Sequence, residues 1–249
     1  MSFNLVAIVT GGTKGIGLAI AESLIKRGAS VALTYKSNDK SAEDAQKSLE
    51  KIAGSNQNVF TTKGDSGDSD VVIQQYSEIS KKLGPVNILV NNAGIMPARS
   101  FDKITIDDWN KTIRTNLSSS FYWCKLAVPT MKKMKFGRII NISSLAARGL
   151  GVVGPHYAAS KAGMLGMTMY AARELGEHNI TVNAIAPAFI EDAGIFNGWS
   201  QEKKNKLKEK IVVPKIGNVN DVVQAFDYLM NSSFVTGVTL DVNGGAFMI

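Results

Sequence analysis

The chain is predicted to fold as one α/β domain, a doubly wound, seven-stranded parallel sheet with helices on both faces. Its 249 residues, 45% apolar and 20% charged, suit a single domain, 1–249, with a substantial buried core. Short β-branched or apolar runs alternate with helix-length segments, the signature of βαβ repetition. No internal repeat, low-complexity stretch or Gly/Pro-rich linker divides the sequence.

In order, Leu5–Thr10 reads as a strand and Gly15–Arg27 as the helix after it. Ser30–Tyr35 precedes a helical Ser41–Ala53, and Asn58–Thr62 precedes a helical Ser69–Leu83. Val86–Val90 and Arg138–Ile142 are the next strands, with a long helix over His156–Leu175. Thr181–Ile185 and Thr239–Val242 complete the set of seven strands. The strands are called from β-branched or apolar runs, and the helices from apolar residues spaced at the helical period. Right-handed crossovers then place ligands beyond the carboxyl ends of the strands.

The net charge of +7 fits an acidic partner of some kind: nucleic acid, a phosphorylated cofactor or an acidic carrier protein. Much of the excess lies in Lys132-Lys133-Met-Lys135 and in the lysine-rich run 203–210. Neither run is interleaved with the aromatics of a single-strand groove, so no nucleic-acid partner is expected, and solvated helix faces account for both. The single cysteine, Cys124, rules out an intramolecular disulfide. Apolar patterning starts at Leu5, leaving no room for a cleavable signal, and no run is long enough to span a membrane. The expected location is cytoplasmic, with no membrane partner.

After the first strand comes Thr10-Gly-Gly-Thr-Lys-Gly-Ile-Gly17. Gly11, Gly15 and Gly17 let the backbone turn tightly and approach a pyrophosphate at the next helix's amino terminus, with Thr13, Lys14 and Ile16 in the same turn. At the end of the second strand, where an acidic residue would grip a ribose 2′-hydroxyl, stands Tyr35-Lys36-Ser37. Lys36 and Lys14 are candidates for a 2′-phosphate, which favours NADP(H) over NAD; ordinary surface solvation of Lys36 is the alternative. Asp65 is read equally as an acceptor for the adenine amino group or as a turn or cap residue.

Tyr157 and Lys161 stand four apart and share one helix face, which brings an ammonium near a phenol. To titrate near neutrality, the phenol would have to shift down by roughly three units from about 10, with Lys161 and an oxidised nicotinamide as the natural sources. His156 and His178 lack partners at metal-binding spacing, so no metal site is expected. No G-x-S-x-G elbow surrounds Ser144, which argues against a hydrolase.

From end to end the chain resembles the short-chain dehydrogenase/reductase family, whose fold is Rossmann-like. The matching segments are Thr10–Gly17, Asn91-Asn-Ala-Gly94, Asn116, Ser143-Ser144, Tyr157-Ala-Ala-Ser-Lys161, Asn183–Pro187 and Asn243-Gly-Gly245. The resemblance implies a catalytic tetrad of Asn116, Ser144, Tyr157 and Lys161. Tyr157 would protonate a carbonyl oxygen as the cofactor delivers hydride, and Ser144, thirteen before it, would stabilise the developing charge. Lys161 would also hold the nicotinamide ribose. Asn116 would anchor a water relaying protons to Lys161, with a helix-kink role as the alternative. Asn91, Ala93 and Gly94 would form a strand-end turn admitting the cofactor, and Pro187 and Ile190 would contact it further on.

Within the family, the runs Arg138-Ile-Ile-Asn-Ile142, Asn179-Ile-Thr-Val-Asn-Ala184 and Leu240-Asp-Val-Asn-Gly-Gly245 most resemble 3-oxoacyl-[acyl-carrier-protein] reductases, implying NADPH-dependent reduction of a 3-oxoacyl thioester, on carrier protein or CoA, in fatty acid synthesis. The likeness also implies a homotetramer. Alternatives are another ketone, sugar or polyol substrate, and a non-catalytic nucleotide binder. The sequence departs from the family pattern at Ala188 and Asp192, and at Met96-Pro97-Ala98. Lys135 and His178 replace the two arginines that meet an acyl carrier protein. Asp192 is expected to point outward or to accept from the cofactor's carboxamide. A substrate lid is expected near 188–215.

Overall fold

The computed structural model describes residues 4–150, 153–193, 200–209 and 211–248, without the side chains at 192, 201, 203, 204 and 207. Seven strands form one sheet: β1 (Val6–Val9), β2 (Ser30–Tyr35), β3 (Val59–Lys63), β4 (Ile88–Asn91), β5 (Gly137–Ile142), β6 (Ile180–Pro187) and β7 (Thr239–Val242). Their order is β3-β2-β1-β4-β5-β6-β7 and every pairing is parallel, as expected from the sequence. The long helices are α1 (Gly15–Lys26), α2 (Asp39–Glu50), α3 (Ser69–Leu83), α4 (Ile106–Ile113), α5 (Ser119–Met134), α6 (Pro155–Leu175), α7 (Gln201–Lys208) and α8 (Val219–Asn231).

Alternation along the strands divides the core in two. Ala7 and Val9 of β1 pack with Ile20 and Leu24 of α1, Leu49 of α2 and Phe226 of α8 on one face. Val6 and Ile8 point the other way, to Val72 and Ile79 of α3 and to Trp123, Ala127 and Met131 of α5. Both faces are covered, which is why the strands read as nearly continuous apolar runs.

One polar feature crosses the dry centre. Asn91 and Asn141 are register partners on β4 and β5. The Asn91 amide donates to Asn141 Oδ1 at 2.8 Å, and the Asn141 amide donates to Thr168 Oγ1 on α6 at 2.8 Å. Asn91 also lies 3.4 Å from the sulfur of Cys124 on α5. The thiol is fully buried, and that burial pushes its pKa up to about 12.

From β1 the chain builds outward to β3, then returns to β4 on β1's other side. The reversal opens a crevice above the carboxyl ends of β1 and β4, where ligands of such sheets bind.

Candidate active site

A cleft of about 250 Å³ occupies that crevice. On one side lie Gly11, Lys14 and Ile16 from the turn after β1, with Asn92, Ala93 and Gly94 after β4. Ser144, Tyr157 and Lys161 line the other, and Pro187, Ala188, Ile190 and Ala193 close the end.

Thr10 joins the two turns. Its hydroxyl accepts from the backbone N–H groups of Asn92 and Ala93, both at 2.9 Å. In return, the Asn92 amide donates to the carbonyls of Thr10 and Gly11, also at 2.9 Å. This close approach explains two glycines. Gly11 has φ +60, and a Cβ on Gly17 would fall 2.6 Å from both Asn92 Nδ2 and Gly11 O. A side chain at either position would meet strain or push the turns apart. α1 begins at this turn with no capping side chain and no acidic residue in its first turn. Uncapped N–H groups beside a glycine cradle fit a pyrophosphate.

Asn91, expected among the cofactor contacts, turns its side chain into the core and away from the cleft. Asn92 faces the crevice instead. Alternation past the end of β4 was the signal that could have separated the neighbouring asparagines. Thr13 is buried within its turn, and Gly15, with φ +54, sits against Ala193.

Lys36 and Asp65 pair with each other, Nζ to Oδ2 at 2.7 Å, outside the residues lining the cleft. Partial burial raises the Asp65 pKa, but the Lys36 hydrogen bond and the Gly67 N–H outweigh it and hold the carboxyl below its ordinary value. A second carboxylate is close in sequence: Asp39 accepts from the Tyr35 hydroxyl at 3.1 Å and from Lys63 at 2.8 Å. The sequence places no acid at the end of β2; folding brings Asp39 and Asp65 to the basic groups there.

Backbone geometry positions the candidate catalytic groups. β5 runs out at Ile142, so Ser143 and Ser144 follow it into the crevice. The Ser143 hydroxyl is committed to the carbonyl of Lys161 at 2.9 Å. Ser144 lies against the Tyr157 phenol and accepts from Ala146 N–H at 3.2 Å. Burial raises the phenol's pKa, and the Ser144 hydrogen bond lowers it in part, leaving it above the ordinary value. The expected depression by Lys161 is not seen in the protein itself. Its ammonium lies 5.8 Å from the phenol ring centroid and donates to Ile142 O at 2.7 Å. Burial pushes the Lys161 pKa down to about 8.

Asn116 sits in a π-helical turn, Arg114–Ser118, that joins α4 to α5. Both polar atoms of its buried amide have partners: Oδ1 accepts from Ile95 N–H at 2.8 Å, while Nδ2 donates to Ile95 O at 2.9 Å and to Ser160 Oγ at 3.1 Å. The side chain therefore acts as a clamp on the loop after β4.

Pro187 ends β6 in the cleft wall, and Ile190 is buried there through a backbone bridge to Gly217. The side chain of Asp192 lies outside the described residues, as does part of the expected lid. Cleft residues not anticipated from the sequence include Ile95, Met96 and Ala193. Ile95 and Met96 come from an irregular segment, and Ala193 from a 3-10 turn of three residues, too short to show a periodicity. Among the described residues, no helix is long and apolar enough to cross a membrane.

The short chain dehydrogenase family model matches residues 5–204. A 3-oxoacyl-[acyl-carrier-protein] reductase FabG of Salmonella typhimurium is 36% identical over 253 residues, covering 100% of both chains. The FabG of Staphylococcus aureus is 34% identical over 254 residues with the same coverage. Among solved structures, a putative short-chain alcohol dehydrogenase from Sinorhizobium meliloti superposes with a TM-score of 0.90 at 29% identity, covering 98% of this chain and 97% of that one. A mutant short-chain dehydrogenase/reductase from Serratia marcescens gives a TM-score of 0.88 at 30% identity, covering 97% of each chain. With the family model matched over most of the chain and relatives more than 30% identical along its whole length, this chain belongs to the short-chain dehydrogenase/reductase family of oxidoreductases.

Proposed function

We propose that the protein reduces the carbonyl of a 3-oxoacyl thioester to the 3-hydroxyacyl form, using NADPH. The observation that carries this reading is that Tyr157, Ser144 and Lys161 share one cleft with the glycine turn and the uncapped start of α1. A bound nicotinamide dinucleotide would supply the hydride. The glycine turn and α1's amino terminus would hold its pyrophosphate, and Lys14 and Lys36 its 2′-phosphate. Tyr157 Oη would donate a proton to the carbonyl oxygen, and the Ser144 hydroxyl would hold the same oxygen as charge develops. Lys161, buried against Ile142 O, would supply positive charge behind the phenol. The full-length likeness to FabG enzymes supports the thioester.

A second reading, reduction of a free ketone, sugar or polyol carbonyl, is favoured by one observation. Lys135 and His178 lie next to the first residues of β5 and β6. That is the sheet edge opposite the cleft, about 20 Å away along a six-residue strand. A carrier docked there could not serve the cleft of the same chain. It would have to serve another copy in a homotetramer, an assembly that would also cover the exposed Phe121 of α5, Tyr170 of α6 and Phe234 before β7.

The test is NADPH consumption with acetoacetyl thioesters and simple ketones, with NADH in parallel. Fastest turnover of the thioester with NADPH supports the first reading. Turnover of ketones alone supports the second. No turnover of any carbonyl would leave a nucleotide binder.

A further inference from the structure

His156, immediately before the tyrosine, is fully buried, yet the chemistry above does not use it. Its Nε2 lies 3.0 Å from the carbonyl of Pro97. A carbonyl can only accept, so the imidazole carries its proton on Nε2, and Nδ1 faces the interior without a partner. The contact therefore ties α6 to the loop after β4.

That loop needs tying. Residues 92–100 form neither helix nor strand, and Pro97 has no N–H to contribute. Beyond Gly94 four ties hold it: the Asn116 clamp on Ile95, His156 on Pro97 O, the Arg99 guanidinium to the Asp108 carboxylate at 3.5 Å, and Arg99 N–H to Val153 O at 2.8 Å. Gly154 seals the last one, since a Cβ there would fall 2.4 Å from Arg99 O. Met96, between the first two ties, forms part of the cleft wall beside Tyr157.

We infer that His156 is a positioning residue for carbonyl substrates: through Pro97 it fixes the segment carrying Met96 at the distance from Tyr157 at which the substrate is received. The inference rests on the reductase reading. Because Asn92 and Ala93 hold the glycine-turn side independently, through Thr10 and Gly11, the histidine governs substrate reception and leaves dinucleotide binding alone.

The experiment compares His156→Leu, His156→Asn and His156→Gln with the wild type, measuring KM and kcat for the best carbonyl substrate and the Kd for NADPH. Glutamine can place an amide N–H near the Nε2 position, whereas asparagine is too short and leucine has no donor. In the leucine and asparagine variants, loss of one buried hydrogen bond should raise KM roughly five- to tenfold. Their kcat should stay within about twofold and the NADPH Kd should not change, while glutamine restores most of the KM. If the leucine variant does not fold, the asparagine and glutamine pair carries the test. An unchanged KM in the asparagine variant, or a KM as high in the glutamine variant as in the asparagine one, overturns the inference. So does a loss of NADPH binding in parallel with KM, which would mark a merely structural residue. A wild type that reduces no carbonyl would instead defeat the reductase reading, and this inference with it.

Discussion

The proposed preference for NADPH would turn on an ion pair that the sequence does not announce. For Lys36 to meet a 2′-phosphate it must leave Asp65, whose carboxylate accepts from it at 2.7 Å. The Lys36 side chain is 57% exposed and that of Asp65 26%, so the pair is screened by solvent and worth about 0.2–1 kcal/mol. Asp65→Asn keeps an oxygen that can accept from an adenine amino group but removes the competing charge. The NADPH-to-NADH affinity ratio should therefore rise by about 1.4- to 5-fold, the same energy expressed as a ratio. Fluorescence titration of both reduced cofactors at low salt measures it. The gain should shrink in about 0.5 M salt, where screening lengths fall to a few ångströms. Lys36→Ala should move the ratio the other way. A ratio that is unchanged, or lower, in Asp65→Asn would show that Lys36 does not reach the phosphate.

Other outcomes follow from the site. Tyr157→Phe should lower kcat/KM for carbonyl reduction by about 10²- to 10⁴-fold, the usual contribution of a positioned acid, with NADPH affinity kept; near-wild-type turnover would exclude the phenol as proton donor. Burial holds the Lys161 pKa at about 8, so kcat/KM for reduction should fall as pH rises through about 8, and a profile flat to alkaline pH would contradict that role. The same depressed pKa means the unfolded chain binds more protons than the folded one above about pH 8, so this residue's burden on stability is full below that pH and eases toward the ordinary lysine range. Lys161→Met should accordingly raise the melting temperature at pH 7 by about 2–8 °C, taking a gain of about 1–2 kcal/mol for a domain of this size, while activity is lost. Gly17→Ala should weaken dinucleotide binding at least about tenfold and cost about 1–3 kcal/mol of stability by overpacking against Asn92 and Gly11; calorimetry and cofactor titration would both register it.

All seven strands were legible because apolar runs survive even where both faces are buried, and the observed boundaries differ from those expected by at most two residues at either end. The glycine turn was legible for a different reason: glycine leaves a record in sequence of where backbones must approach. What could not be read is what depends on distant partners. Nothing in Lys36 or Asp65 alone predicts that they pair. The choice of Asn92 over Asn91 required knowing where β4 stops, and element ends are the least determined feature of a sequence. Asn116 and His156 were visible as residues, but their hold on Ile95 and Pro97 depends on a loop whose path no local pattern encodes. Likewise, the tyrosine's surroundings are set by burial, which moves its proton affinity opposite to the expectation from a lysine four residues on.

The paired amides of Asn91 and Asn141 give the sheet a built-in ruler. Sliding β5 past β4 by a single residue would strand two amide groups in hydrocarbon, at roughly 1–3 kcal/mol each, whereas greasy side chains alone would tolerate the slip far better. Asn141 stands three residues before Ser144, and Asn91 stands three before Gly94. Indexing the first pair thus also aligns the loops that bear the reacting groups. Fidelity of the reaction geometry is in this sense inherited from an inert contact in the middle of the molecule.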